Sequence, residues 1–261
     1  MATRLERVEN TLAYLMDRGS ASVSELAEHF QVSEVTIRRD LDHLARRSQV
    51  RLFRGGAVYT GRDSTGAARG SNSYRFGTAA EKHVEEKQRI ARYAATLIEP
   101  GNVVFLDAGS TTEHLARELT LAADLTVVCY SASTLYPLVS NSDHTIIMLG
   151  GVYHRDPDVF ESDEALGLLR RTRITKAFIS ANGIDFDLGV TCSNSFEVGI
   201  KRGAIQSSLE RYLLVDSSKF RMIESAYFAD VAEFTAVITD STLPQELAET
   251  LEARGVSIHR V

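Results

Sequence analysis

The chain has 261 residues, of which 44% are hydrophobic, and a formal net charge of -6. This length suits two domains, and the hydrophobic share is ordinary for a protein with a sizeable core. The negative charge argues against a general nucleic-acid coating protein, and no apolar run approaches the roughly 20 residues of a membrane span.

The first 59 residues predict two helices, a third helix that bears arginines, and a hairpin. An apolar stripe at helical spacing over residues 5–15 ends at Gly19, which suits the C′ position of a helix. A second short helix follows, with Ser22 or Ser24 as its N-cap. The third helix begins at Ser33, because the Ser33 hydroxyl can accept a hydrogen bond from the first-turn amide of Thr36.

The third helix has two different faces. Its apolar face comprises Ile37, Leu41 and Leu44, and its other face carries Val35, Arg38, Arg39 and Arg46. An arginine-bearing face can be no more than a solvated helix surface. After two preceding helices, however, it is the arrangement that enters the major groove, where arginine reads guanine in bidentate fashion.

A short alternating run from Arg51 to Arg54 turns at Gly55-Gly56 and predicts a hairpin, or wing. Residues 33–62 contain seven arginines and three acidic residues, so a basic patch coincides with the presumed DNA-facing segment. We therefore predict a winged helix-turn-helix domain over residues 1–59 that binds double-stranded DNA. Its predicted DNA contacts are Ser33, Glu34, Val35, Thr36, Arg38, Arg39, Arg51 and Arg54.

Residues 60–79 are rich in glycine and serine and predict a linker. Residues 80–261 then alternate short apolar runs, such as Val103-Val104-Phe105-Leu106, with helix-like segments. This alternation predicts a parallel sheet with helices on both faces. The predicted fold class is α/β, with an N-terminal winged helix-turn-helix and a parallel-sheet domain.

Ligands of open parallel sheets bind beyond the carboxyl ends of the strands. The segment D-A-G-S-T-T, from Asp107 to Thr112, combines a glycine turn, three hydroxyls and a helix N-terminus at such a point. That combination suits a phosphate group, although an ordinary strand-to-helix turn with a Ser/Thr cap has the same residues.

Other predicted strand ends carry Ser131, Gly151 and Asn182, which could equally be turn residues. Lys219 follows a further strand and could reach a phosphate, or could be an exposed lysine. Glu197 and Lys201 are spaced four residues apart on a helix, where a surface ion pair is the alternative to a binding role.

Two cysteines, Cys129 and Cys192, lack the spacing of metal ligands. We expect buried free thiols, without a disulfide framework, a metal or a cofactor. The chain does not open with the basic and then apolar segment of a signal peptide, so we expect a cytoplasmic protein.

The run V-S-E-V-T-I-R-R-D-L, followed by R-G-G-A-V, resembles the DNA-binding half of the DeoR family of bacterial sugar-metabolism regulators. D-x-G-S-T-T, L-G-G, D-S-S-K-F and E-K-Q-R-I-A resemble its sensor half, so the likeness extends from about Leu5 to Asp240. The stretches TVVCYSAST and GVTCSNSFEV resemble the deoxyribonucleoside branch of the family. Arg221 stands where glycine is common in these regulators.

The resemblance implies a sensor fold similar to ribose-5-phosphate isomerase and glucosamine-6-phosphate deaminase. It also implies a repressor of a sugar or nucleoside catabolic operon, active as a homodimer or homotetramer. Its inducer would be a phosphorylated sugar, with deoxyribose 5-phosphate a candidate. By the same resemblance, the phosphate binds Gly109, Ser110, Thr111 and Thr112, and the sugar lies among Asp107, Ser131, Gly151, Asn182, Glu197 and Lys219.

A sugar-phosphate isomerase-like enzyme is the alternative, because such an enzyme needs a carboxylate as general base. Asp107, Glu197 and Lys219 could supply its catalytic groups. An isomerase would not require the winged helix, so we predict no enzymatic activity. A metal-responsive or redox-responsive regulator is a third possibility. The C-terminal half contains no Cys/His cluster that would support it.

Overall fold

The computed structural model of the chain describes residues 4–46, 50–53, 55–59, 82–119, 124–141, 143–155 and 157–261. The predicted linker, residues 60–79, lies outside these ranges, so the proposed domain boundaries stay predictions.

The N-terminal domain packs three helices against a small antiparallel sheet. Its elements are α1 (Arg4–Arg18), β1 (Ser20–Ser22), α2 (Val23–His29), α3 (Glu34–Arg46), β2 (Val50–Phe53) and β3 (Gly56–Tyr59). The strand order is β1-β3-β2. Strand β1 was not predicted, because three residues between two helices leave no alternating pattern to recognise, and only pairing with β3 makes them a strand.

Local sequence explains where these helices begin and end. Gly19 has φ +80 and donates its amide to Leu15 O at 2.9 Å, which closes α1 as predicted. The Ser22 hydroxyl accepts from Glu25 N at 3.1 Å and caps α2. The predicted apolar stripe of α3 is fully buried in the domain core, where Ile37, Leu41 and Leu44 pack.

The C-terminal domain is built on a seven-stranded parallel sheet of order β15-β14-β12-β9-β4-β5-β6. Its strands are β4 (Val103–Leu106), β5 (Thr126–Cys129), β6 (Thr145–Met148), β9 (Ile174–Ser180), β12 (Ser208–Leu214), β14 (Ala236–Thr239) and β15 (Ser257–Arg260). The helices are α4 (Val84–Thr96), α5 (Ser110–Leu119), α6 (Ala132–Asn141), α7 (Asp163–Arg171), α8 (Val198–Ser207) and α9 (Gln245–Ala253). The predicted α/β class is confirmed.

Successive side chains of each strand enter opposite cores, as expected for a sheet covered on both faces. In β4, Phe105 packs in one apolar cluster, and Val104 and Leu106 pack in the other. Both clusters are fully buried, which explains why the central strands consist almost entirely of apolar residues.

Two small antiparallel sheets were not predicted. Strands β7 (Val152–His154) and β8 (Val159–Glu161) form a hairpin, and β10 (Gly183–Asp185), β11 (Gly189–Cys192) and β13 (Ala226–Ala229) form a three-stranded sheet. These strands are three or four residues long, too short for a clear period-two pattern. A helix predicted from Phe196 begins at Val198 instead, after a 3-10 turn over Ser195–Glu197.

Arg221 adopts φ +61, in the left-handed region that favours glycine. This conformation explains why glycine suits the position. The Arg221 amide donates to Ile184 O at 2.8 Å, so the strained residue is held in place by the β10 strand.

Candidate functional site

Helix α3 presents a polar, positively charged face to solvent. The Ser33 hydroxyl accepts from Thr36 N at 3.3 Å, so the helix begins with the predicted cap. Arg38 and Arg39 are exposed, and Val35 is 57% exposed. Exposed arginines beside a small apolar side chain can contact guanine edges, phosphates and the thymine methyl group.

A buried ion pair fixes α3 against α1. Asp40 is 1% exposed and accepts hydrogen bonds from Arg7, at 2.6 Å from Nε and 3.4 Å from Nη2. One of the three acidic residues in the basic segment is therefore neutralised inside the domain. The charge balance of the outer face is more positive than the sequence count suggested.

The predicted wing is the hairpin of β2 and β3, whose strands pair from Val50–Tyr59 to Phe53–Gly56. Arg51 lies in β2, but its side chain is outside the described part of the chain. Arg54 is itself outside the described residues. Their roles in DNA contact stay predictions.

At the carboxyl edge of the large sheet, Asp107 is the centre of a buried polar network. It directly follows β4 and is 0% exposed. Lys201 Nζ lies 2.5 Å from Asp107 Oδ2, the Tyr130 hydroxyl donates to Oδ1 at 2.6 Å, and Ser180 N donates to Oδ2 at 2.7 Å. Such a carboxylate has little capacity left to accept a hydrogen bond from a ligand.

The charges of this network stabilise one another. Burial by itself lowers the pKa of Lys201, but the carboxylates of Asp107 and Glu197 outweigh that effect and raise it. Burial raises the pKa of Glu197, and Lys201, 3.8 Å away, partly opposes the rise. Burial beside the same carboxylates raises the pKa of Tyr130, so its hydroxyl stays protonated and donates.

A small cavity lies over this network, with a volume of about 10 Å³, which is room for about one water molecule. It brings together three residues that the sequence analysis singled out, Gly109, Asn182 and Glu197. The lining also contains five others: Ala108, Pro157, Ser180, Ala181 and Lys201.

The first turn of α5 directly follows Gly109, which lines the cavity. Ser110, Thr111 and Thr112 are all buried there. The Thr112 hydroxyl donates to Asp107 O at 2.7 Å and to Gly109 O at 2.9 Å, so its proton is already shared between two backbone carbonyls. The first-turn amides have no partner within the helix and remain the natural donors to an anion.

The other predicted residues are not among the described lining of the cavity. The Ser131 hydroxyl caps α6 by accepting from Thr134 N at 3.2 Å. Gly151 has φ +146, and a Cβ there would lie 2.1 Å from Glu161 O, which gives this glycine a backbone role. Lys219 lies in the 3-10 turn after β12.

A group of cations flanks the same sheet edge. Burial lowers the pKa of Lys87, on α4, to about 8, with Asp216 opposing the change and Lys219 adding to it. Burial also lowers the pKa of His114, on α5, and the nearby Lys87 contributes to that effect. The shared influence places Lys87 near both α5 and Lys219, where a ligand anion would favour its charged form.

The sequence analysis did not include four residues of this region among the site residues. Lys201 was recognised only as a partner of Glu197, whereas Tyr130 and Ser180 could have been found as polar residues at strand ends. Lys87 lies in the E-K-Q-R-I-A stretch that resembles the sensor half, but it was not assigned to the site because a lysine in a charged amphipathic helix is ordinary.

Among the described residues, no group of three His, Cys, Asp or Glu side chains could hold a metal ion. Cys129 and Cys192 are free and buried, and burial raises the pKa of each thiol to about 12. No helix in the described ranges has the length and apolar character needed to cross a bilayer.

Residues 82–241 match the DeoR C terminal sensor domain, and residues 7–62 match the DeoR-like helix-turn-helix domain. The chain belongs to the DeoR family. It is 32% identical over 254 residues to the uncharacterized HTH-type transcriptional regulator YgbI of Escherichia coli strain K12, covering 97% of this chain and 96% of that one.

Several relatives carry names that mention a sugar. The L-fucose operon activator of Haemophilus influenzae is 32% identical over 252 residues, covering 96% of this chain and 97% of the relative. The deoxyribose operon repressor of Escherichia coli strain K12 is 29% identical over 255 residues, covering 98% of each. Similar identities to regulators of different sugars do not select one sugar.

Solved structures similar to the DeoR-family chain include a D-ribose-5-phosphate isomerase in complex with phospho-erythronic acid. It covers 52% of this chain and 54% of that structure, at 20% identity and a TM-score of 0.39. RipA from Yersinia pestis covers 69% of this chain and 50% of that structure, at 12% identity and a TM-score of 0.47.

The two matched domains establish the class of protein. DeoR-family chains with a helix-turn-helix domain are DNA-binding transcriptional regulators, so this chain is a regulator and not an enzyme. The prediction that no isomerase activity accompanies the winged helix is confirmed.

Proposed function

We propose that the chain represses a sugar or nucleoside catabolic operon in the cytoplasm and leaves operator DNA when a phosphorylated sugar binds. The single observation that supports this most directly is the composition of the sheet edge. Gly109, directly before the N-terminus of α5, lines a buried polar cavity there, and Lys87 on α4 lies close enough to Lys219 and Asp216 for their charges to affect its pKa. Fixed positive charge beside free backbone amides favours a phosphate group.

In this proposal the phosphate binds the backbone from Gly109 to Thr112, and Lys87 and Lys219 balance its charge. The sugar hydroxyls bind Asn182 and Glu197. Asp107 holds Lys201 and Tyr130 in place below the ligand. Because the cavity now has room for about one water molecule, binding must widen it, and the ligand thereby favours a different arrangement of the domain.

Two of the remaining predicted residues, Ser131 and Gly151, support the backbone around the proposed site. Ser131 positions the start of α6, and Gly151 allows the close approach of the backbone to β8. We keep deoxyribose 5-phosphate as a candidate inducer because of the deoxyribonucleoside-like stretches, and other phosphosugars belong in the same test.

DNA binding is assigned to the exposed face of α3 and to the wing. The proposed contacts are those of the sequence analysis: Ser33, Glu34, Val35, Thr36, Arg38, Arg39, Arg51 and Arg54. A homodimer or homotetramer would place two such helices on half-sites about one helical turn apart, or multiples of that spacing. Inducer binding changes the operator affinity by the difference between its affinities for the two arrangements, about 1–3 kcal/mol.

The test uses the variant Ser110→Asp, which places a carboxylate at the phosphate position. A duplex selected from a random library by the wild-type chain serves as operator. We expect the variant to bind this duplex normally and to stay bound when deoxyribose 5-phosphate and a panel of other phosphosugars are added, as measured by fluorescence anisotropy.

Ser241→Asp is the matched control, because Ser241 is an exposed serine beyond β14 at the same sheet edge. It should release the duplex like the wild type. Release of the Ser110→Asp variant by the same sugar would remove the phosphate site from α5. A wild-type chain that responds to no phosphosugar in the panel would contradict the proposed function.

A further inference from the structure

Two contacts between described residues join the wing side of the N-terminal domain to the sensor domain. The Ser20 hydroxyl, on β1, donates to Ile223 O. At the turn of the wing, Gly55 lies against Leu188, since a Cβ added at Gly55 would be 2.9 Å from Leu188 Cδ2. We call these two contacts the wing seam.

One sensor residue of the wing seam lies on a segment that starts at the cavity, and the other lies on a segment that follows Lys219, a proposed ligand contact. The β10–β11 hairpin follows Asn182, which lines the cavity, and carries Leu188 at its turn. The segment 220–224 follows Lys219 and carries Ile223. Leu188 lies six positions after Asn182 along the chain, and Ile223 lies four positions after Lys219.

The two segments are bound to each other as one unit. Arg221 N donates to Ile184 O at 2.8 Å, and Glu224 N donates to Thr191 Oγ1 at 2.9 Å. A Cβ at Gly183 would lie 2.3 Å from Met222 O, so the two backbones are in close contact. A displacement at the cavity end is therefore carried to the seam by packed backbone.

The turn of the hairpin is also held from the other side. Arg254, at the end of α9, places Nη2 3.1 Å from Asp187 Oδ1, and its guanidinium lies 5.6 Å from the centre of the Phe186 ring. The contacts with Arg254 thus hold the β10–β11 turn in position beside the wing.

We propose that the wing seam is an inhibitory docking surface within the chain. A wing turn that lies against Leu188 does not at the same time enter a groove of DNA, so docking and operator binding exclude each other. This inference rests on the proposed function, in which the phosphosugar widens the cavity beside Asn182. The sensor domain with the widened, ligand-occupied cavity binds the wing more tightly than the ligand-free sensor domain does, and so lowers the operator affinity.

Between described residues the wing seam consists of one apolar contact and one hydrogen bond, which fits a switch that must also open. Contacts of this size leave the undocked state accessible in the absence of ligand, so the chain still binds its operator. Removing the seam should make operator binding tighter by about fivefold to tenfold, where tenfold corresponds to about 1.4 kcal/mol.

The experiment compares full-length Leu188→Asp with wild type in operator binding without any sugar. The duplex is again one selected by the wild-type chain, and binding is read by fluorescence anisotropy. We expect the variant to bind about fivefold to tenfold more tightly and to lose most of its release by the phosphosugar that releases the wild type. Ser20→Ala, which removes only the hydrogen bond, should act in the same direction with a smaller effect.

Leu209→Asp is the matched control, because Leu209 is 77% exposed near the start of β12. It should leave operator affinity unchanged. Unchanged or weaker operator binding in Leu188→Asp, with folding verified by circular dichroism, would overturn the proposal. If Leu188→Asp does not fold, unchanged binding in Ser20→Ala would do the same.

This comparison separates the two hypotheses. The seam is tested by operator affinity in the absence of sugar, whereas the proposed function is tested by the response of the wild type to phosphosugars. Tighter binding by both seam variants, with no wild-type response to any sugar, would retain the docking surface and reject the inducer.

Discussion

Replacing Lys201 by methionine removes the only cation within reach of Asp107 among the described contacts of that carboxylate. Lys201 and Asp107 have side chains that are 2% and 0% exposed, with Nζ 2.5 Å from Oδ2. Deleting one partner of such a buried pair leaves an uncompensated charge and costs about 3–5 kcal/mol. At about 2–4 °C per kcal/mol for a domain of this size, the melting temperature should fall by about 6–20 °C.

The loss of stability in Lys201→Met should depend on pH in a defined direction. Burial raises the pKa of Glu197 and Lys201 partly opposes that rise, so removing Lys201 leaves the pKa of Glu197 in the folded state higher still above that of the unfolded chain. A group with a raised folded pKa contributes stability below its unfolded pKa and loses it as the pH rises. Lys201→Met should therefore be closer to wild type near pH 4.5 than at pH 8.

Lys176→Met is the matched control, because Lys176 is also buried but donates to a backbone carbonyl, Leu97 O. The loss of stability in Lys176→Met should be smaller than in Lys201→Met and independent of pH over the same range. Thermal unfolding of both variants at several pH values, followed by circular dichroism, measures the difference. Equal losses at every pH would show that the Asp107–Lys201 pair does not carry the charge balance of this site.

Arg39→Ala should weaken operator binding by about 1–3 kcal/mol in anisotropy titrations and leave phosphosugar binding intact, whereas the exposed sensor-domain control Arg92→Ala should change neither. Because the pKa of Lys87 is lowered to about 8, phosphosugar affinity measured by calorimetry should fall about tenfold as the pH rises from 7 to 9.5. Lys87→Arg should bind with a flatter pH profile. Burial raises the pKa of Glu224 to about 7, so its contribution to stability is present below about pH 4.5 and is lost as the pH rises through 7. Glu224→Gln should remove that loss in urea titrations at pH 5 and 8, an effect on the order of 3 kcal/mol before solvent screening reduces it.

Much of the fold was predictable because its causes are local. Glycine closes α1, serine hydroxyls cap α2 and α3, and continuous apolar runs form the central strands of the parallel sheet. Each of these features depends on a few neighbouring residues whose preferences agree with the final structure. The short strands β7, β8, β10 and β11 have no comparable local pattern, and they exist only because another segment pairs with them.

The ligand site divides in the same way. The Gly109 turn and the start of α5 were predictable, since a glycine followed by hydroxyl residues after an apolar strand marks a helix N-terminus. The side chains that surround this turn were not predictable. Tyr130 and Lys201 are 23 and 94 residues away from Asp107 in sequence. The pairing of β5 with β4 and the packing of α8 against β9 bring them to one carboxylate.

The amino-acid sequence by itself determined the family, the two-domain pattern and the arginine-bearing face of α3, because helical periodicity and capping are properties of short segments. The tertiary structure decided which charges are buried. Asp40 is neutralised by Arg7 and Asp107 by Lys201, and the wing turn meets Leu188. Burial and pairing depend on residues far apart in the chain, and sequence spacing alone carries no information about them.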